Sequence, residues 1–356
     1  MKKTFLLLFG LLLSYAAIFS QNAKNEGDEL AANGNFSAAA AMYELCMEQD
    51  DECLFKLTDL IYYKKIIPNV TDELYRRLFP LAEMGNARAQ SKLGSLYEEG
   101  LGVKQDYQEA LKWYQKSAEQ EYAGGQYGLG YMYIKGFGVK QDYEEALKWI
   151  QKSAEQGYAY GQDGLGFMYG NGLGVKLDYE EAVKWHQKSA EQGNANAQSN
   201  LGIMYRDGKG VNQDYEEAAK WFQKSAEQGN AQGQTSLGLM YRNGNGVKQD
   251  YQEALKWFQK SAEQGNPNAQ DHMGIMYRYG WGVQQDYEVA IKWFLLSAEQ
   301  GYASAQANLG SMYETGKGVT RNLEQAIDWY RKAAEHGNQS AIKNLYRLNR
   351  GTKPDL

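Results

Sequence analysis

The chain has little cysteine, little histidine and no excess of positive charge. Only Cys46 and Cys53 are present, which excludes a scaffold held by many disulfides and leaves room for one pair. The three histidines, His186, His272 and His336, share no metal-ligand spacing, so no metal or cofactor is expected. A formal charge of −6 gives no basic footprint for nucleic acid. The glycine-rich segments lack the Lys-Ser/Thr ending of a phosphate loop, and no serine sits in a nucleophile elbow. Neighbouring acids such as Glu216 and Glu217 suit a helix N-terminus rather than acid–base chemistry. No nucleophile–base constellation is visible, and the reading is of a non-enzyme.

Long apolar runs are confined to the N-terminus. Lys2 and Lys3 precede an apolar stretch from Phe5 to Phe19, shorter than the roughly 20 residues of a spanning helix. Residues 1–20 therefore read as a signal peptide cleaved after Ser20, with a retained anchor as the alternative. Cleavage would take the charge from −6 to −8 and leave no transmembrane segment. The expected destination is outside the cytoplasm, periplasmic or secreted. In such a compartment Cys46 and Cys53 read as a disulfide, against the alternative of two buried thiols.

What the chain does have is a tryptophan every 36 residues: Trp113, Trp149, Trp185, Trp221, Trp257, Trp293 and Trp329, with Trp281 alone outside the series. A fixed period of this length marks a repeat array, whose units bury their apolar faces against one another. Residues 86–337 hold seven copies without insertion or deletion. In the copy from Asn194 to Gly229, Gln198, Leu201, Gly202 and Tyr205 share one helical face. A turn with Gly208 and Gly210 follows. Asp214 and Glu217 then form a capping-box pattern, with Glu217 expected to reach back to the cap amide. Ala218, Trp221, Ser225 and Ala226 face inward on a second helix that Gly229 ends. The glycine of the first helix recurs from Gly94 to Gly310 at about 1 kcal/mol each against alanine, which implies close helix packing beside the bulky Tyr and Trp. Glu121 replaces the terminal glycine once and should strain or remodel its turn. Residues 21–85 read as divergent helical hairpins, and 338–356 as a capping helix and tail.

The pattern Ala-x-Ala-Gln-x-x-Leu-Gly-x-Met-Tyr, then Gly-x-Gly-Val-x-x-Asp-Tyr-x-x-Ala-x-x-Trp-x-x-x-Ser-Ala-Glu-x-Gly, resembles the Sel-one-like repeat family, cousins of tetratricopeptide repeats. The resemblance implies an all-α, right-handed α/α superhelix (solenoid) of helix-turn-helix repeats that works as an adaptor for a protein or peptide. Cysteine-rich secreted members link adjacent repeats by disulfides, and Cys46 and Cys53 lie close to those positions. Some members have been linked to penicillin binding, so the alternative function is a cell-wall or small-ligand binder with weak β-lactamase-like hydrolase activity.

In such solenoids the first helices line the concave face. Arg88, Lys92, Ser95 and Glu99 share one helix face, and their columns vary between copies. One column reads Ser95, Tyr131, Phe167, Ile203, Leu239, Ile275, Ser311. It forms either an apolar partner-binding stripe or packing between neighbouring first helices. A second column, Arg206, Arg242 and Arg278, either clamps carboxylates of a partner or makes a solvated ladder. The near-constant Lys112–Lys292 and Glu119–Glu335 columns read as outer-face dressing.

Overall fold

The computed structural model describes residues 17, 19–32, 35–47, 50–64 and 71–351, and every regular element among them is an α-helix. Residues 1–16 and 18, most of the stretch expected to be a signal peptide, and the tail beyond residue 351 lie outside the described residues. Helices α1 (19–32), α2 (Phe36–Cys46), α3 (Asp51–Lys64) and α4 (Thr71–Glu83) precede the array. Seven pairs follow: α5 (Ala87–Glu99) with α6 (Tyr107–Glu119), α7 (Ala123–Lys135) with α8 (Tyr143–Glu155), and α9 (Ala159–Asn171) with α10 (Tyr179–Glu191). The series continues through α11 (Ala195–Asp207) with α12 (Tyr215–Glu227), and α13 (Ala231–Asn243) with α14 (Tyr251–Glu263). It ends with α15 (Pro267–Tyr279) and α16 (Tyr287–Glu299), then α17 (Ala303–Thr315) and α18 (Leu323–Glu335), before a final α19 (Gln339–Gly351). This is the expected all-α solenoid of helix pairs. Helices α1–α10 form one compact unit and α11–α19 a second. No helix among the described residues is long and apolar enough to cross a membrane.

The recurrent glycine of each first helix faces a ring or branched side chain of the second helix. That side chain belongs to the residue after each tryptophan and not to the tryptophan itself. A Cβ on Gly202, Gly238, Gly274 or Gly310 would lie 2.5–2.7 Å from Phe222, Phe258, Phe294 or Tyr330. Gly94, Gly130 and Gly166 meet Tyr114, Ile150 and His186 in the same way. These partners are buried, and the three phenylalanines are completely so. Each contributes roughly 2–3 kcal/mol by burial, more than the penalty of its glycine. The tryptophans sit further out, most of them half-buried. Six carry a lysine head 3.9–4.5 Å from the ring, as Lys188 does on Trp185.

Two ladders of side-chain hydrogen bonds complete the frame. In the first six repeats the buried serine of the second helix donates to the first carbonyl of its own first helix, as Ser117 does to Ala87, Ser189 to Ala159 and Ser261 to Ala231, at 2.6–2.7 Å, and the seventh has Ala333 in its place. The invariant glutamine ties three helices. Gln90 Nε2 donates to the Ala82 carbonyl of the preceding helix, and its Oε1 accepts from Gln120 at the end of the following one. Gln234 and Gln270 repeat both bonds. In the last repeat His336 takes the place of that second glutamine, with Nδ1 3.1 Å from Gln306 Oε1.

The capping box forms by half. Asp214 accepts from the Glu217 amide, but its own amide already donates to the Tyr205 carbonyl at 2.9 Å. Glu217 has no cap amide to reach and pairs with Lys220 instead. The same amide-to-tyrosine bond closes every loop, from Asp106 with Tyr97 to Asn322 with Tyr313. In the first unit Cys46 at the end of α2 and Cys53 in α3 form a disulfide, fully buried. Glu121 is the one non-glycine residue with positive φ among those described, at 61°.

Gly238→Ala is expected to destabilise the protein by a net ~1–2 kcal/mol, because overpacking against Phe258 outweighs the helix-propensity gain. Glu121→Gly should stabilise it by about 1 kcal/mol through release of left-handed strain. Urea unfolding followed by circular dichroism checks both. A Gly238→Ala variant as stable as the parent would show that the close approach is not required.

Candidate functional site

The frame occupies one side of each first helix and leaves the varying columns on the other. In the first unit much of that side is already satisfied by neighbours. Arg88 pairs with Glu52 of α3, and Lys92 with Asp59 of the same helix. Ser95 is buried and donates to the Lys92 carbonyl. Buried Glu98 accepts from Tyr62 at 2.9 Å and Tyr114 at 2.7 Å. Further along, Tyr127 contacts Tyr131, Tyr158 and Tyr160 with ring centroids 6.0–6.3 Å apart. Burial raises the phenols of Tyr127, Tyr131 and Tyr160, which stay neutral as donors. Phe167 stands out, with 44% of its surface exposed.

In the second unit the rest of that column is half-buried. Ile203 packs against the Ala218–Phe222 cluster, Leu239 against the Ala254–Phe258 cluster and Ile275 against the Ala290–Phe294 cluster. Each of these side chains thus serves the core with one flank and keeps another toward solvent. Ser311 is half-buried and accepts from Arg278 at 3.1 Å.

The arginine column has a core logic that sequence reasoning missed. Its first and last positions are Glu98 and Glu314, which accept the hydroxyls of Tyr114 and Tyr330 at 2.7 and 2.9 Å. Arg206, Arg242 and Arg278 occur where the ring against the glycine is phenylalanine. Phenylalanine has no hydroxyl to satisfy, so the position is released from the core. The signal was legible as Tyr with Glu and Phe with Arg, two columns read together. The three arginines then differ. Arg206 pairs with Asp207 at 2.7 Å. Arg242 faces Asn243 Oδ1 at 3.1 Å and His272 Nδ1 at 3.2 Å, and Arg278 reaches Asn308 and Ser311. Between them lies Asp271, almost wholly buried, which accepts from Ser304 and Asn308 at 2.7 and 2.8 Å.

Beside Arg242 an open cleft of about 480 Å³ is lined by Arg242, Asn243, Gln249, Tyr251, Ile275 and Trp281. Trp281 stacks on Tyr251 and on Tyr279, with centroids 5.5 and 5.0 Å apart. The histidines have separate structural places. His186 packs on Gly166 with Nδ1 2.7 Å from Asp163, His336 caps Gln306, and His272 lies against Phe258 and Arg242. Burial, then the Arg242 charge, lower the His272 pKa to about 3. Among the described residues no group of three or more His, Cys, Asp or Glu is placed to hold a metal.

The family model of the Sel1 repeat matches seven consecutive stretches: residues 87–122, 123–158, 159–194, 195–230, 231–266, 267–302 and 303–338. The fold is similar to the crystal structure of a protective antigen present in uropathogenic Escherichia coli strains, at 37% identity over 88% of this chain and 68% of that one, with a TM-score of 0.60. It is also similar to a Sel1 repeat protein from Oxalobacter formigenes, at 34% identity over 68% of this chain and 96% of that one, with a TM-score of 0.61. No curated protein sequence matches the chain.

His272 gives a pH prediction. The folded protein holds it neutral, while the unfolded chain protonates it near the ordinary 6.5, so its contribution is full above that pH and falls as pH drops toward 3. Between pH 7.5 and 5 the protein should lose about 1–2 kcal/mol from this group. His272→Asn, the residue found at Asn200 and Asn308 in the same column, should remove that loss. Denaturant midpoints at the two pH values decide it, and equal losses in both proteins would refute the assignment.

Proposed function

We propose that this chain, which belongs to the Sel1 repeat family, is a non-enzymatic scaffold that holds a protein or peptide partner against the exposed side of its first helices. What supports this reading is the division of labour within each repeat. Glycine, serine, glutamine and the buried side chain facing the glycine are committed to a repeated frame, while Tyr131, Phe167, Ile203, Leu239, Ile275, Arg242 and Arg278 vary on it and keep solvent-facing surface. A frame already ordered before binding loses little conformational entropy when a partner docks. Seven repeats supply adjacent, similar sites, which suits an extended polypeptide better than one small molecule. The N-terminal leader pattern supports export to the periplasm or the exterior, with the Cys46–Cys53 disulfide compatible with that setting.

Crosslinking mass spectrometry in the cells that make the protein tests the reading. A protein partner should crosslink to first-helix residues flanking Phe167, and Phe167→Glu should reduce its recovery about tenfold, equivalent to about 1.4 kcal/mol, with the helical signal unchanged. Partners held equally by the variant would place the interface elsewhere. Absence of any reproducible protein partner would overturn the scaffold reading and favour cell-wall fragments or small ligands.

A further inference from the structure

Within the second unit, one stretch of the first-helix face has the makings of a defined recognition site. The chain is acidic overall, with 44 Asp and Glu against 38 Lys and Arg. Yet among the described residues no carboxylate lies within ion-pairing distance of Arg242 or Arg278, whereas Arg206 is neutralised by its neighbour Asp207. The difference lies in the following residue, which is Asp207, Asn243 and Tyr279 in the three copies. Buried Asp271 offsets one of the two charges at longer range and accepts from Ser304 and Asn308 rather than from either arginine, so the cluster keeps a net positive charge. The guanidinium of Arg242 is also held in place. His272 Nδ1 and Asn243 Oδ1 engage it.

Within the second unit the apolar half of the site is confined to this place. Trp281 is the one tryptophan outside the 36-residue series, and its column otherwise carries lysine or asparagine in this unit: Lys209, Asn245 and Lys317. It is stacked with Tyr251 and Tyr279 and lines the same cleft as Ile275 and Arg242. Arg278 lies 5.4 Å from the Tyr279 ring, so the charged and aromatic groups form one surface. A planar guanidinium takes a carboxylate by paired hydrogen bonds, and an adjoining aromatic wall takes a large apolar side chain.

We infer that the Arg242–Ile275–Trp281 cleft binds a linear segment of a partner protein in which carboxylates flank a large apolar or aromatic residue. The carboxylates meet Arg242 and Arg278, and the apolar side chain enters between Ile275 and the Tyr251–Trp281 stack. This rests on the protein-binding reading above and adds to it the chemistry of the segment and its place on the array.

The test is binding of the full chain to fluorescent peptides with capped ends and a Glu-Phe-Glu core, alongside Gln-Phe-Gln and Glu-Ala-Glu counterparts. A free-carboxylate peptide ending in Phe-Glu separates recognition of a chain terminus from recognition of side chains. The Glu-Phe-Glu or the Phe-Glu-ended peptide should bind about tenfold or more tightly than its Gln or Ala counterpart, with affinity falling as salt rises. The doubly substituted R242Q/R278Q protein and Trp281→Lys should each lose about tenfold or more. Arg206→Gln, which removes an arginine already paired, should bind as the parent does and controls for loss of general positive charge. Equal binding of the Glu and Gln peptides, an equal loss in Arg206→Gln, or no binding by any peptide would overturn this inference. A partner crosslinked near Phe167 but indifferent to R242Q/R278Q would overturn it while leaving the scaffold reading standing. The absence of any crosslinked protein partner would overturn the scaffold reading itself.

Discussion

The contact on which the rest of the structure depends is that between the mid-helix glycine of each first helix and the side chain facing it from the second. A missing Cβ lets the two backbones come close enough for a phenylalanine to be wholly buried between them, as Phe258 is against Gly238. That separation sets the other bonds within reach. The serine hydroxyl meets the first carbonyl of the partner helix at 2.6–2.7 Å, and the two glutamines meet at 2.7–2.8 Å. An alanine at the glycine would gain intrinsic helicity and lose this geometry, so the penalty accepted in every copy is local and the return is cooperative.

A frame this complete frees other positions. Where the facing ring is tyrosine, its hydroxyl must be satisfied in a buried setting, and Glu98 and Glu314 are committed to that task. Where it is phenylalanine, the demand disappears and the same position carries arginine. Loss of one oxygen atom in the core thus converts an acidic structural residue into a basic surface one. The chemistry of the first-helix surface is tied to the packing beneath it through that exchange. It also explains why the chemically distinctive part of the second unit gathers around Arg242, Arg278 and Trp281 and is not spread evenly along the repeats.

Several features were legible in the residues alone. The tryptophan spacing gave the period, the glycine pairs gave the loops, and the capping acids gave the starts of the second helices. Ser225, which the pattern turns inward, is fully buried and donates to the Ala195 carbonyl. Two assignments needed correction. The side chain opposite each glycine follows the tryptophan by one residue, in a column that holds Tyr, Ile, His and Phe and so carries no single residue signature. The reciprocal half of the capping box does not form, because a residue far along the preceding helix, Tyr205 in the fourth copy, already uses the cap amide. Both depend on contacts between helices, which a one-dimensional pattern does not carry.

By itself, the sequence determined the class of fold, the length of the repeat, the place of each helix and the turns that need positive φ. These follow from local backbone preference and from a periodicity of apolar residues that recurs in register. The tertiary structure decided which side chains the frame consumes. Arg88 and Lys92 are taken up by Glu52 and Asp59 and Arg206 by Asp207, while Arg242 lines the cleft at Trp281 and Arg278 reaches only the neutral Asn308 and Ser311. Residues of one type in one column are equivalent along the chain. They differ in exposure and charge pairing because the partners that neutralise, bury or release them arrive from neighbouring elements, and burial and hydrogen bonding are properties of that assembled neighbourhood.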